Sequence, residues 1–120
     1  MKRIIAVAAL LLAAALGSSQ AGAQEMYNTS VPVDKDVLKE MPTVFHIDFG
    51  QGIHVREVKL VGADNTEWPL DWKFTEDDVY EVKFRSLKSL PPGDYQLTWD
   101  AYVRQHFHPD AGTIRFRIAP

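Results

Sequence analysis

The residues best equipped for chemistry are His106 and His108, two apart in His106-Phe107-His108-Pro109 and followed by Gly112. On an extended segment, side chains at i and i+2 point the same way, so both imidazoles can meet one ion. Two neutral ring nitrogens suit Cu, Zn or Ni and call for a third or fourth ligand. The chain has no cysteine, so thiolate is excluded and any soft sulfur ligand must be methionine. Asp110, just after Pro109, and Glu25 offer carboxylates that would shift preference toward Zn or Cu(II). His54, after Gly50-Gln51-Gly52, reads as an exposed turn residue. His46 shares the polar face of its strand with Asp48 and reads as an ordinary exposed residue or a cross-strand contact.

What carries these residues begins with an address. Lys2 and Arg3 precede an apolar run from Ile4 to Leu16, and Ala21-Gly22-Ala23 supplies an A-x-A cleavage site, so residues 1–23 read as a secretory signal peptide. The run of 13 residues is short of the roughly 20 that cross a bilayer, so the processed chain is not expected to span a membrane. Cleavage after Ala23 leaves 97 of the 120 residues, starting at Gln24: one domain, 24–120, with one core. It would hold 16 acidic and 11 basic residues, about −5, with no basic cluster, which argues against nucleic acid as a partner. An exported chain without cysteine has no disulfide framework. Glu76-Asp77-Asp78 reads as a solvated turn. No serine or cysteine nucleophile stands in a recognisable motif, and the carboxylates are scattered, so binding rather than enzymatic turnover is expected.

Period-two alternation dominates the rest. Phe45, Ile47 and Phe49 share one face, with Val44, His46 and Asp48 on the other. Gly50-Gln51-Gly52 reads as a turn into a second strand from His54 to Val61, closed by Gly62-Ala63-Asp64-Asn65. Val79 to Phe84 alternates again, and Pro91-Pro92-Gly93 turns the chain into Asp94 to Val103, where Tyr95, Leu97 and Trp99 share a buried face. The last strand opens at Gly112 with Ile114, Phe116 and Ile118 inward. Asp34 to Glu40 reads as one loose helical turn, and Trp68 and Trp72 as a cover over one open end. Such spacing predicts an all-β Greek-key sandwich or small barrel.

Several segments in order resemble the CopC copper-resistance domains: Ser30-Val31-Pro32 to Leu38, Pro42 to Phe49, Leu90-Pro91-Pro92-Gly93-Asp94-Tyr95-Gln96-Leu97-Thr98-Trp99, and Gly112 to Ile118. The resemblance implies an immunoglobulin-like β-sandwich or barrel of about seven strands, located in the periplasm and binding copper for resistance or delivery. It also implies metal ligands at an N-terminal histidine and at an Asp-x-His pair before the last strand. Here His108 matches the motif histidine, His106 stands where the family carries Asp, and the expected first residue is Gln24, which can cyclise and lose its amine. Met26 falls near the N-terminal end that the family brings to this loop, and its thioether beside two imidazoles would favour Cu(I) over Cu(II). The expected ligand set is therefore His106, His108 and Met26, with Gln24, Asp110 and His54 as further candidates. The expected partners are a copper ion and a copper transporter or copper-receiving periplasmic protein. The alternative is a metal-free immunoglobulin-like interaction module.

Overall fold

The structure, a computed structural model, describes residues 27–105 and 108–120. Eight strands follow one another: β1 (Thr29–Val31), β2 (Asp36–Leu38), β3 (Phe45–Gly62), β4 (Glu67–Trp68), β5 (Val79–Phe84), β6 (Gly93–Val103), β7 (His108–Pro109) and β8 (Gly112–Ile118). The architecture is all-β, as the alternation predicts, and no described residue is helical.

The backbone of the fold is β3. Its first half pairs antiparallel with β1 (Ser30 opposite Ile47) and β5 (Ile47 opposite Val82). Its second half pairs with β4 and β6, Leu60 standing opposite both Trp68 and Leu97. Gly50-Gln51-Gly52 is therefore not a turn between two strands. It is an irregularity inside one, where the register with β5 shifts between Asp48 and Ile53 and Gly50 takes a left-handed φ of 73°. A second irregularity leaves Arg56 as an extra residue between the Val55–Ala101 and Glu57–Asp100 pairs. These two features let one strand bend from one layer into the other.

From β6 the second layer continues to β8, antiparallel, and then to β2, which lies parallel to β8 with Val37 opposite Arg117. The helical turn expected over Asp34 to Glu40 is thus an edge strand. Arg115 N–H donates to Asp34 Oδ1, Lys35 N–H donates to the Arg115 carbonyl, and Lys35 adopts φ 72° to make that approach. Contacts some eighty residues away decide the conformation, overriding local pattern.

The inward positions are those the alternation names: Phe45, Ile47 and Phe49 of β3, Val82 and Phe84 of β5, Tyr95, Leu97 and Trp99 of β6, and Ile114, Phe116 and Ile118 of β8 are all buried. Phe45 lies parallel to Phe84 at 5.5 Å and tilted against Phe116 at 5.9 Å, joining the two layers. Each such ring contributes about 1.5–3 kcal/mol by leaving water. Trp68 meets Tyr95 edge-on, and Trp68 and Trp72 both pack half-buried against the core.

Tyr95 also ties the turn before β6, its hydroxyl donating to the Pro91 carbonyl four residues upstream. Burial, helped by the nearby Asp64 carboxylate, raises its pKa above the ordinary value of 10. The folded state thus favours the neutral phenol. That contribution is intact below about pH 10, where the unfolded tyrosine ionises, and is lost as pH rises through the higher folded value. Urea midpoints measured between pH 9 and 11.5 should therefore fall from about pH 10 upward. Tyr95→Phe should make that fall shallower, and an unchanged slope would contradict the assignment.

Candidate metal centre

The last strand is built in two parts. Pairing of β6 with β8 runs to Trp99 opposite Gly112, breaks at Asp110 and Ala111, and resumes as Tyr102 opposite Pro109 and Val103 opposite His108. His108 is therefore held at the end of a sheet, with its side chain exposed. Its Nδ1 lies 2.8 Å from the Pro109 carbonyl oxygen. A carbonyl only accepts, so Nδ1 donates here, and in the neutral ring the lone pair open to a metal is on Nε2. Metal-bound histidines are commonly fixed in this way by a backbone carbonyl.

Downstream of His108 the strand break is anchored by Trp99, 4% exposed, whose indole N–H donates to the Asp110 carbonyl at 3.0 Å. Asp110 N–H in turn donates to the Ala101 carbonyl at 2.8 Å. Gly112 sits against the face of the same ring. Asp110 itself, a sequence-level ligand candidate, is 2% exposed. Tyr27, the first described residue, meets Trp99 edge-on at 5.4 Å and 88°. The chain thus reaches β1 from the ring that anchors the histidine hairpin.

Upstream of His106 stands Arg104. Its Nε donates to Asp78 Oδ1 at 2.7 Å, and its Nη2 donates both to the Glu76 carbonyl and to His54 Nδ1, the latter at 2.9 Å. Its pKa is raised, first by the Asp78 hydrogen bond, so the guanidinium stays charged at any working pH. The acidic run is more than a solvated turn, since Asp78 and the Glu76 backbone hold this cation.

His54 departs from expectation. It is 5% exposed, wedged edge-on between Phe74 at 5.6 Å and Tyr102 at 5.1 Å, and stands opposite Tyr102 within the sheet. Because arginine can only donate, Nδ1 accepts and the proton sits on Nε2, which makes His54 a neutral wall residue beside the hairpin. Tyr102 also carries Arg56 over its ring at 5.3 Å, and Arg56 pairs with Asp100 at 3.0 Å. An open depression of about 360 Å³ lies there between Arg56, Tyr102 and Pro109. A larger one, about 570 Å³, lies at the other end of β6 near Lys35 and Arg115. Of the two readings of His46, the structure shows the cross-strand contact, with Nε2 2.6 Å from Glu81 Oε1.

Among the described residues, no three His, Asp or Glu side chains gather as a metal site. His106, Phe107, Gln24, Glu25, Met26 and the expected signal segment lie outside the described residues. The clamp around Arg104 went unread in the sequence because its partners come from β3 and the 74–78 segment, and no local spacing marks them.

A model of the CopC domain matches residues 27–119. The chain belongs to the CopC domain family. The crystal structure of CopC from Methylosinus trichosporium OB3b superposes with a TM-score of 0.63 at 15% identity, covering 81% of this chain and 95% of that one. The selenomethionine PcoC, a copper resistance protein from Escherichia coli, superposes at 0.56 with 17% identity, covering 78% and 98%. At these identities the likeness is one of fold. No curated protein matches the chain. Membership in the CopC family agrees with the β-sandwich expected from the strand pattern.

Proposed function

We propose that this chain is a periplasmic copper-binding protein for copper resistance or delivery, which holds the ion through His106 and His108 on the β6–β7 hairpin. The observation that carries the reading is His108: exposed, fixed at Nδ1 by a carbonyl, and with Nε2 open, in a CopC domain. A copper resistance protein among its structural neighbours supports it. The contact of Tyr27 with Trp99 supports Met26 as the third ligand, since Met26 is the next residue toward the N-terminus. The export signal over residues 1–23 belongs to the same reading and accounts for a periplasmic location. Ligands on a hairpin just outside a rigid barrel are open to a copper transporter or copper-receiving protein, so the ion can leave by ligand exchange.

The test is mass spectrometry of the exported protein followed by copper titration under reducing and oxidising conditions. One equivalent of copper should bind the processed chain. The His106→Ala/His108→Ala variant should bind at least about 100-fold more weakly, roughly 2.7 kcal/mol. Met26→Leu should weaken Cu(I) more than Cu(II). Equal uptake by the double variant sinks the proposal.

A metal-free interaction module is the competing reading, and exposed Val33 and Val37 beside the β2 edge favour it. Such a module would be indifferent to copper and to the loss of both rings.

A further inference from the structure

We propose that the depression at the far end of β6 from the histidine hairpin binds a small organic carboxylate, one anionic group on an apolar body, with Arg115 and Lys35 holding the carboxylate. None of the residues in the copper reading takes part.

At about 570 Å³ the depression is within the range of small-molecule sites, about 300–1,000 Å³. Its floor is the outer face of the second layer, where strand register sets side chains in rows. Lys35, Arg115, Gln96 and Val61 make one row, because Lys35 N–H donates to the Arg115 carbonyl, Arg115 stands opposite Gln96, and Gln96 stands opposite Val61. Val37, Arg117 and Asp94 make the next. In the second row the charges are matched, Arg117 Nε donating to Asp94 Oδ1 at 2.7 Å. In the first they are not. Among the described residues, Arg56, Arg85, Arg104 and Arg117 each meet a carboxylate, whereas neither Arg115 nor Lys35 has such a partner. The acids nearest to Lys35 in the chain are committed to backbone: Asp34 Oδ1 accepts from Arg115 N–H, and Asp36 Oδ2 from Val33 N–H.

Two exposed cations side by side on neighbouring strands repel each other, and an anion between them reverses the sign of that interaction. The guanidinium fork of Arg115 matches a carboxylate, Lys35 adds a point charge, and the Gln96 amide is the next donor along the row. A single anionic group fits better than several, because Asp94 lines the same depression and would repel a second. Apolar surface stands at both ends of the rows, Val37 on β2, which is 66% exposed, and Val61 on β3, so the rest of the ligand is apolar.

The experiment titrates the metal-free, processed full chain with sodium hexanoate and follows backbone amides by NMR, with acetate, hexylamine, inorganic phosphate and a tetraglutamate peptide as comparison probes. Hexanoate should shift the amides of Lys35, Gln96 and Arg115 along a saturable curve while that of His108 stays in place. Acetate, which lacks the apolar body, should bind more weakly, and hexylamine should leave these amides unmoved. Arg115→Ala and Lys35→Ala should each weaken hexanoate at least about tenfold, the loss expected when one charged hydrogen-bond partner is removed. Both side chains are exposed and without an ion pair, so both variants should keep the urea midpoint of the parent. The absence of a saturable shift with hexanoate overturns the proposal, as does parent-like affinity in either variant. Hexylamine acting on the same amides would show an apolar surface indifferent to charge, and phosphate binding as tightly as hexanoate would show an anion patch with no use for its apolar ends. Each of these overturns the carboxylate assignment. A tetraglutamate peptide that binds where hexanoate does not would give the depression to an acidic protein partner and overturn it as well.

Discussion

Alanine at Gly112 is expected to destabilise the domain by about 3 kcal/mol, the upper part of the range for overpacking a closed core. A Cβ built at this position lies 2.3 Å from Trp99 Cζ2 and 2.8 Å from Cε2 and Cη2. Those atoms belong to a rigid ring that is 4% exposed, packed by Tyr27 and Phe49 and held by its hydrogen bond to Asp110. No rotation of a flexible chain end can relieve the contact, so the ring or the start of β8 must move. Because the same ring anchors the histidine hairpin, copper binding should weaken along with stability. Urea unfolding followed by tryptophan fluorescence measures the first effect, and titration of the still-folded fraction measures the second. A Gly112→Ala midpoint equal to that of the parent would show that the close approach is not real.

Removing the ring should cost more. Trp99→Ala is expected to lose about 3–5 kcal/mol, the range for deleting a large buried aromatic. For a domain of this size total stability is about 5–15 kcal/mol, so the variant should be at least partly unfolded at 37 °C. Trp99→Phe separates packing from hydrogen bonding. It keeps an apolar ring against Tyr27 and Phe49 but removes the indole donor from the Asp110 carbonyl, for an expected loss of about 1–3 kcal/mol. Amide exchange at residues 108–112 should rise in the phenylalanine variant while the centre of β3 stays protected. If phenylalanine proves as stable as tryptophan with the hairpin equally protected, the anchoring role of the indole is wrong.

The sequence discloses the fold wherever one face meets the core and the other meets water. β5, β6 and β8 show this directly, because Val82, Phe84, Leu97, Trp99, Ile114 and Phe116 alternate with charged or polar neighbours. It misleads where the decisive partner is distant. Two glycines around Gln51 look like a turn, yet pairing on both flanks draws them into one bent strand. His54 sits between Ile53 and Val55, so alternation aims it outward, and its cover of Phe74, Tyr102 and Arg104 arrives from twenty to fifty residues downstream. β2 has the same origin, since its pairing with β8 is long-range and parallel. At the candidate site, residue type and spacing single out His106 and His108, whereas the Nδ1 contact of His108 with the Pro109 carbonyl and the hold of Trp99 on Asp110 emerge only in three dimensions.

The continuous β3 has a mechanical corollary. Because a single backbone is woven into both layers, neither face can peel away without tearing a ladder that the other also needs. The sandwich therefore resists splitting along its midplane.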